Sequence, residues 1–262
     1  MIAISKYSSR LDSELKHSVI SLKKPDPKAI RLAEESGMVF CEADNEQEQK
    51  KLIEDADIVH IHYWNNPQIF AFLHQDLPPT RLIIWFHVAG DNAPQVITRD
   101  LINYADIAIP CNPYSYDLPV FHQLNPEVQS KKVRMVYDAA DFERVSQVEF
   151  KPHDTFNVGY IGGLSFTKMH PGYIAMSANA NIKTARFILC GGGQIDLLKQ
   201  QASELNALNK FDFRGFVEDI SIPISEFDVY GYPLCEDTYA AAELNLQEVM
   251  YVGVPPVVFP HG

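Results

Sequence analysis

Residues 156–168 read FNVGYIGGLSFTK, and what they become decides the architecture of the chain. The first six are apolar or strand-favouring, too few for a stable helix, and they stop at the glycine pair Gly162 and Gly163. Lys168 follows five residues after the second glycine. Glycines behind a strand let main-chain N–H groups approach an anion, and a nearby ammonium adds charge, so a phosphate or diphosphate suits such a loop. An ordinary tight turn with a surface lysine has the same one-dimensional pattern, and the spacing is not that of a Walker A loop.

Toward the C-terminus the rhythm repeats. A helix is expected near 170–178, then ARFILCGGG (185–193), the helix QIDLLKQQASELNA (194–207), FDFRGFV (211–217), EFDVYGYPL (226–234), a short helix over 246–252 and VPPVVFP (254–260). The short helix has punctuation at both ends: Asn245 with Glu248 three residues on is a capping-box pattern, Gly253 suits a left-handed C-cap, and Pro255 stops the helix. Three glycines at 191–193 carry a large entropic cost, which points to close approach by a ligand or a neighbouring backbone, or else to a flexible loop tip. Neither glycine loop contains GxGxxG, which argues against a nicotinamide cofactor.

Toward the N-terminus the same alternation holds: HSVISL (17–22), PKAIRLAEESG (27–37), MVFCEA (38–43), EQEQKKLIEDA (46–56), DIVHIHYW (57–64), LIIWFH (82–87), a helix over 95–104, DIAIPC (106–111) and VRMVYDAAD (133–141). The pattern lapses in ERVSQVEFKPHDTF (143–156), which suits an interdomain connection. The expected fold class is therefore α/β, with two Rossmann-like, doubly wound parallel-sheet domains facing a cleft. The boundaries are 1–147 and 148–262. Ligands of such sheets lie beyond the carboxyl ends of the strands.

The bulk composition narrows the classes. The chain has 262 residues, 46% of them hydrophobic, and a formal charge of -12 from 22 Lys plus Arg against 34 Asp plus Glu, which argues against nucleic acid as a partner. Cys41, Cys111, Cys190 and Cys235 lie far apart without CxxC spacing, as expected of buried thiols in a reducing compartment. No apolar run approaches the roughly 20 residues of a membrane span, and the start MIAISKYSSRLDSELK lacks the apolar core of a secretion signal. A cytoplasmic location is expected, with peripheral attachment at the inner membrane face as an option.

Histidines are the other group at strand ends. His60 and His62 share one face of DIVHIHYW by its period of two. They read as hydrogen-bonded or packed rings more readily than as metal ligands, having no acidic or thiol partner at metal spacing. His87 closes LIIWFH ahead of a loop, where an imidazole can touch a ligand.

The ordered set VGYIGG with Lys168, FILCGGG, FRGFVED, FDVYGYPL and the closing ELNLQEVMYVGVPPVV resembles the donor domain of retaining glycosyltransferases of the GT-B architecture, family 4 (group 1 type). The resemblance spans 156–262 strongly and the first half more loosely, through DIVHIHYW and WFHVAG. It implies transfer of a sugar, as by a hexosyltransferase, from a UDP-sugar or GDP-sugar to a glycan, lipid or small-molecule acceptor, with retention and without metal or other cofactor. Glycan or polysaccharide synthesis would be the setting. Lys168 then looks like the lysine that neutralises the donor diphosphate, and Gly162 and Gly163 like the turn facing its phosphates. Glu248 looks like the glutamate that binds the ribose, Phe216 and Val217 fall where the base rests, and His87 resembles the histidine facing the donor sugar.

Two positions depart from that pattern. Gly163 stands where the family commonly has arginine, and Ala240 where it has the first glutamate of a pair, with Glu243 as stand-in. Five positions turn an ideal helix about 500°, so Glu243 and Glu248 converge only if Glu243 precedes the helix. Relatives also open with a glycine-rich loop and continue past the VPPVV strand. The expectation is a chain truncated at both ends, weakly active or inactive alone, and able to associate through its incomplete C-terminal sheet. The alternatives are a nucleotide-sugar epimerase and a non-catalytic nucleotide-sugar-binding fragment.

Overall fold

The computed structural model describes residues 2–43 and 45–259, which divide into two compact units, 1–137 and 138–262. The second unit thus begins ahead of the expected 148. The segment that looks like a polar connector contains the 3-10 turn Phe142–Val145, whose Val145 is fully buried in the second core, and the Phe142 ring stacks on Tyr251 at 4.6 Å. Two apolar anchors in a polar run are enough to fasten it, and they leave no period to read.

Among its described residues the first unit contains five parallel strands. β1 (Ser18–Ile20) pairs with β2 (Val39–Cys41), while β3 (Val59–Tyr63), β4 (Leu82–Phe86) and β5 (Ile107–Pro110) form a sheet in that order. Helix starts are set locally by Asx residues followed by proline. The side chains of Asp26, Asn66, Asn112 and Asn125 each accept from N–H groups of the helices Pro27–Glu35, Pro67–Leu73, Pro113–Tyr116 and Pro126–Lys132. The core gathers Ile61, Ile84, Phe86, Ile102, Ala108 and Phe121 from strands and helices.

Two expectations for this unit change. The helix placed at 95–104 begins at Arg99 with Thr98 as its cap, because Val96 is held as a bridge partner of Gly90. VRMVYDAAD is not a full strand: Val133 bridges Ala108, Arg134 N donates to Ala108 O at 3.1 Å and Val136 N to Pro110 O at 3.2 Å, while Val136 and Tyr137 remain exposed.

The second unit is one parallel sheet of β6 (Phe156–Ile161), β7 (Ala185–Cys190), β8 (Phe211–Gly215), β9 (Val229–Tyr232) and β10 (Pro256–Val258), ordered β10-β9-β6-β7-β8. Winding runs one way from β6 through β7 to β8 and the other way from β9 to β10, so the order reverses between β6 and β9. The helix expected at 170–178 spans Tyr173–Ala178, because His170 N donates to Pro233 O and holds that residue in the loop. The closing helix is Leu244–Tyr251. Pro260, the last residue of VPPVVFP, lies outside the described residues.

Among the described residues no helix is long and apolar enough to cross a membrane. The four cysteines are free thiols, Cys111, Cys190 and Cys235 buried and Cys41 partly so. Burial pushes the Cys190 thiol up to about 11.

Candidate functional site

The carboxyl ends of β6 and β9 flank the reversal of strand order, the crevice where open α/β sheets bind ligands. The loop leaving β6 is fastened there from several sides. Ile161 O accepts from the Tyr230 hydroxyl at 2.8 Å and from Asn245 Nδ2 at 3.2 Å, and the Tyr160 hydroxyl donates to Gly163 O at 3.0 Å. Farther on, Cys235 N donates to Lys168 O at 2.7 Å and His170 N to Pro233 O at 2.9 Å, tying the lysine's main chain to the segment leaving β9.

Lys168 Nζ then lies 3.0 Å from Glu243 Oε2, both side chains being largely buried at 18% and 14% exposure. The Tyr232 hydroxyl donates to the same carboxylate oxygen, and the ammonium stands 5.8 Å from the centre of the Tyr232 ring. An ammonium, a carboxylate and a glycine turn therefore meet at the carboxyl ends of β6 and β9, the Gly162 N–H being donated to Cys190 O.

The second glycine run is explained by the first. A Cβ on Gly191 would stand 1.8 Å from Gly162 O and one on Gly193 2.4 Å from Leu164 O, and both residues have left-handed φ, +145° and +135°. Leu164 N donates to Gly192 O and Gln194 N to Leu164 O, so the two loops brace each other. Of the causes open in the sequence, the close neighbour is a backbone.

The expected capping box does not form. Glu243 occupies the N-cap position without a side-chain cap bond, Asn245 lies inside the first turn with its amide on Ile161, and Glu248 does not reach back. Tertiary acceptors have claimed these side chains. The reading that Glu243 precedes the helix holds, yet the two glutamates face different partners. Glu248 is 2% exposed with Oε1 3.4 Å from Arg144 Nε, and its Oε2 is buried without a hydrogen-bond partner. Burial raises the Glu248 carboxyl above its ordinary value, Arg144 pulling the other way. A buried acceptor without a partner is costly.

Phe216 and Val217 follow β8 at the far edge of the sheet, the Phe216 ring 77% exposed and Val217 packed on the core. His87 belongs to the first unit. Its Nε2 lies 2.7 Å from His62 Nδ1, one nitrogen donating to the other, and its ring stacks under Trp64 at 4.6 Å. His60, His62 and Trp85 continue the stack. Burial, reinforced by the neighbouring imidazoles, lowers His60 to about 4 and His62 to about 2. The loops after β3 and β4 are latched together, Gln95 Oε1 accepting from Asn65 N at 2.7 Å and Gln95 Nε2 donating to Asn65 O at 3.1 Å.

The structure thus joins Gly162, Gly163, Lys168 and Glu243, sets Glu248 on the same helix against Arg144, and leaves Phe216 on the surface. Sequence reasoning missed Tyr160, Tyr232 and Arg144. The alternation in DVYGYP places Tyr230 and Tyr232 on one side of a strand and was a usable signal; nothing local marks Arg144. A separate depression of about 400 Å³ lies at the amino ends of the strands, lined by Lys151, His153 and Asp228 among others. It lacks the glycine turn and sits at the end of the sheet where such folds do not bind ligands, so the chemistry places the candidate site at the carboxyl ends.

Neither a protein-family model nor a curated protein matches the chain. Solved structures do. Anabaena Alr3699/HepE, solved with UDP and glucose, superposes with a TM-score of 0.75 at 16% identity, covering 100% of this chain and 76% of its own. A glycosyltransferase from Rickettsia africae gives 0.73 at 12% identity, covering 100% and 75%. The lipopolysaccharide outer core galactosyltransferase WaaB, in its apo form, gives 0.60 at 13%, covering 98% and 74%. The chain has the GT-B fold. At these identities the likeness is one of fold, and function has to be argued from the site. Within the GT-B fold of this chain, Ala240 lies in the loop ahead of the helix Leu244–Tyr251 and Glu243 at its entrance, so the acidic group stands on the helix N-terminus.

Proposed function

We propose that the second unit binds a nucleotide diphosphate sugar at the carboxyl ends of β6 and β9, and that the chain serves glycosyl transfer of the retaining, family 4 type. The observation that carries the reading is the meeting of the Gly162 and Gly163 turn with Lys168 and Glu243 at the reversal of strand order. The turn and Lys168 receive the diphosphate, Glu243 faces the sugar, and the open oxygen of Glu248 takes a ribose hydroxyl. Phe216 and Val217 flank the base, and in the first unit His87 is the candidate for a sugar contact. Structural neighbours solved with UDP and with UDP-glucose favour uridine as the first nucleotide to test.

In the transfer, the bond from the anomeric carbon to the diphosphate oxygen breaks and the acceptor oxygen bonds to the same face of that carbon. The acceptor's proton passes to the departing phosphate oxygen. Negative charge grows on the diphosphate, where Lys168 and the Gly163 N–H, rather than a metal ion, stabilise it. The product is a hexoside in glycan or polysaccharide synthesis, made in the cytoplasm or at the inner membrane face.

Calorimetry with UDP, GDP and their glucose esters tests the reading. Binding of one nucleotide is expected, with Lys168→Ala weakening it about 10- to 100-fold, the worth of one charge-assisted contact. No binding of any of the four overturns it. A second reading, a non-catalytic binder, is favoured by Ala240 where a glutamate, and Gly163 where an arginine, would strengthen the site. Binding without turnover in the presence of acceptors would select it.

A further inference from the structure

Beneath the site just described, Tyr160, Tyr230 and Tyr232 are buried to 1% exposure or less, with ring centres 5.1 Å apart for Tyr160 and Tyr232 and 5.2 Å for Tyr230 and Tyr232. Sheet cores are ordinarily apolar, and a buried hydroxyl is costly unless it is hydrogen-bonded. Each of these three has an acceptor, and each acceptor belongs to the site: Gly163 O for Tyr160, Ile161 O for Tyr230 and the Glu243 carboxylate for Tyr232.

We propose that Tyr232 is a positioning residue that orients Glu243 for the sugar part of the donor. The inference rests on the donor-site reading above. Both described contacts of the Glu243 carboxylate, from Tyr232 and from Lys168, fall on Oε2. That leaves Oε1 as the oxygen that accepts from a sugar hydroxyl. With a single donor the carboxylate would rotate and offer either oxygen to Lys168; with two donors converging on Oε2, Oε1 is held outward. The Tyr232 ring is itself clamped by two phenols, so its hydroxyl cannot follow a rotating carboxylate. Burial first, and the facing carboxylate second, push the Tyr232 phenol far above its ordinary value, so it keeps its proton and remains the donor. Tyr160 fastens the phosphate turn through the same stack, which makes one rigid block of the diphosphate and sugar subsites.

A purely structural tyrosine would affect nucleotide and nucleotide sugar alike, and this separates the two roles. UDP and UDP-glucose serve as probes, titrated calorimetrically into the full chain and its variants. Tyr232→Phe is expected to hold UDP within about 3-fold of the parent and to lose about 10-fold in UDP-glucose, one charge-assisted hydrogen bond. Tyr230→Phe removes a hydroxyl from the same stack without touching Glu243, and is expected to leave the ratio of the two affinities unchanged. Equal losses for both ligands in Tyr232→Phe, or no loss in either, overturn the positioning role while the donor site stands. Should Tyr232→Phe not fold, Glu243→Gln carries the test, since an unchanged ratio there equally removes the role. If the parent binds neither ligand, the donor site falls, and this inference with it.

Discussion

In the first unit the rings packed at the ends of β3 and β4 are imidazoles and indoles, His60, His62 and His87 with Trp64 and Trp85; in the second, those at the ends of β6 and β9 are the phenols of Tyr160, Tyr230 and Tyr232. The two stacks occupy comparable places in two Rossmann-like sheets and differ in what they do with a proton. Burial holds His60 and His62 neutral, far below their ordinary value near 6.5. The same burial pushes the phenols upward from 10. Desolvation opposes charge in both units, so a buried base becomes a liability in acid and a buried phenol only in alkali. A phenol stack is the steadier support for a site that must work near neutrality, whereas an imidazole stack ties its unit to pH.

The largest expected effect tests how the second unit is braced. Its strand ends are held by backbone against backbone, and Gly191→Ala places a Cβ 1.8 Å from Gly162 O at a left-handed φ. A loss of about 4 kcal/mol or more is expected, seen as a collapsed thermal midpoint by circular dichroism. Gly192→Ala, with open space around its Cβ, should stay within about 0.5 kcal/mol. Near-equal midpoints for the two variants would remove the bracing argument.

Next in size is the response of the first unit to acid. The folded unit binds fewer protons than the unfolded chain between about 6.5 and the lowered values, so stability is present above that range and lost as pH falls into it. From pH 7 to 5 the loss is about 2 kcal/mol for each of His60 and His62. Both tryptophans of the chain lie in this unit, so urea unfolding followed by tryptophan fluorescence reports on it. His60→Phe should remove one share of the pH dependence. An unchanged slope would mean that the imidazoles are charged or solvated.

The smallest effect has the opposite sign and sits in the second unit. Glu248 has a raised carboxyl, so the folded state holds its proton more tightly than the unfolded one, and ionisation at neutral pH costs stability that is regained as pH falls toward the ordinary carboxylate range near 4.5. Arg144 is 46% exposed and loses little by losing its partner. Glu248→Gln is therefore expected to gain up to about 1 kcal/mol over the parent at pH 7 and nearly nothing at pH 4.5, measured by denaturant midpoints, while weakening nucleotide binding. A loss at pH 7 would show that the Arg144 pair outweighs the burial cost.

Much of this was legible in one dimension. FNVGYIGG and ARFILCGGG are strands ending on glycines because apolar runs of six residues between breakers have few other options, and the Asx-Pro pairs mark helix starts by a purely local bond. Lys168 stood out by its distance from a glycine pair. Glu243 stood out as the stand-in glutamate, but its pairing with that lysine did not, since the two meet only because β9 lies beside β6 in the sheet. The capping box over Asn245 and Glu248 failed for the same reason: Ile161 O and Arg144 are competitors that arrive from distant segments.

The order of amino acids by itself determined the alternation of strand and helix, the glycine turns and the lysine behind one of them, because strand length, helix punctuation and backbone freedom are settled among neighbours along the chain. Tertiary structure alone decided which carboxylate meets that lysine, which oxygen of it stays open, and that Tyr232 holds it there. Those choices follow from the pairing of strands separated by many residues, and from desolvation, which acts on a side chain only once other segments have closed over it.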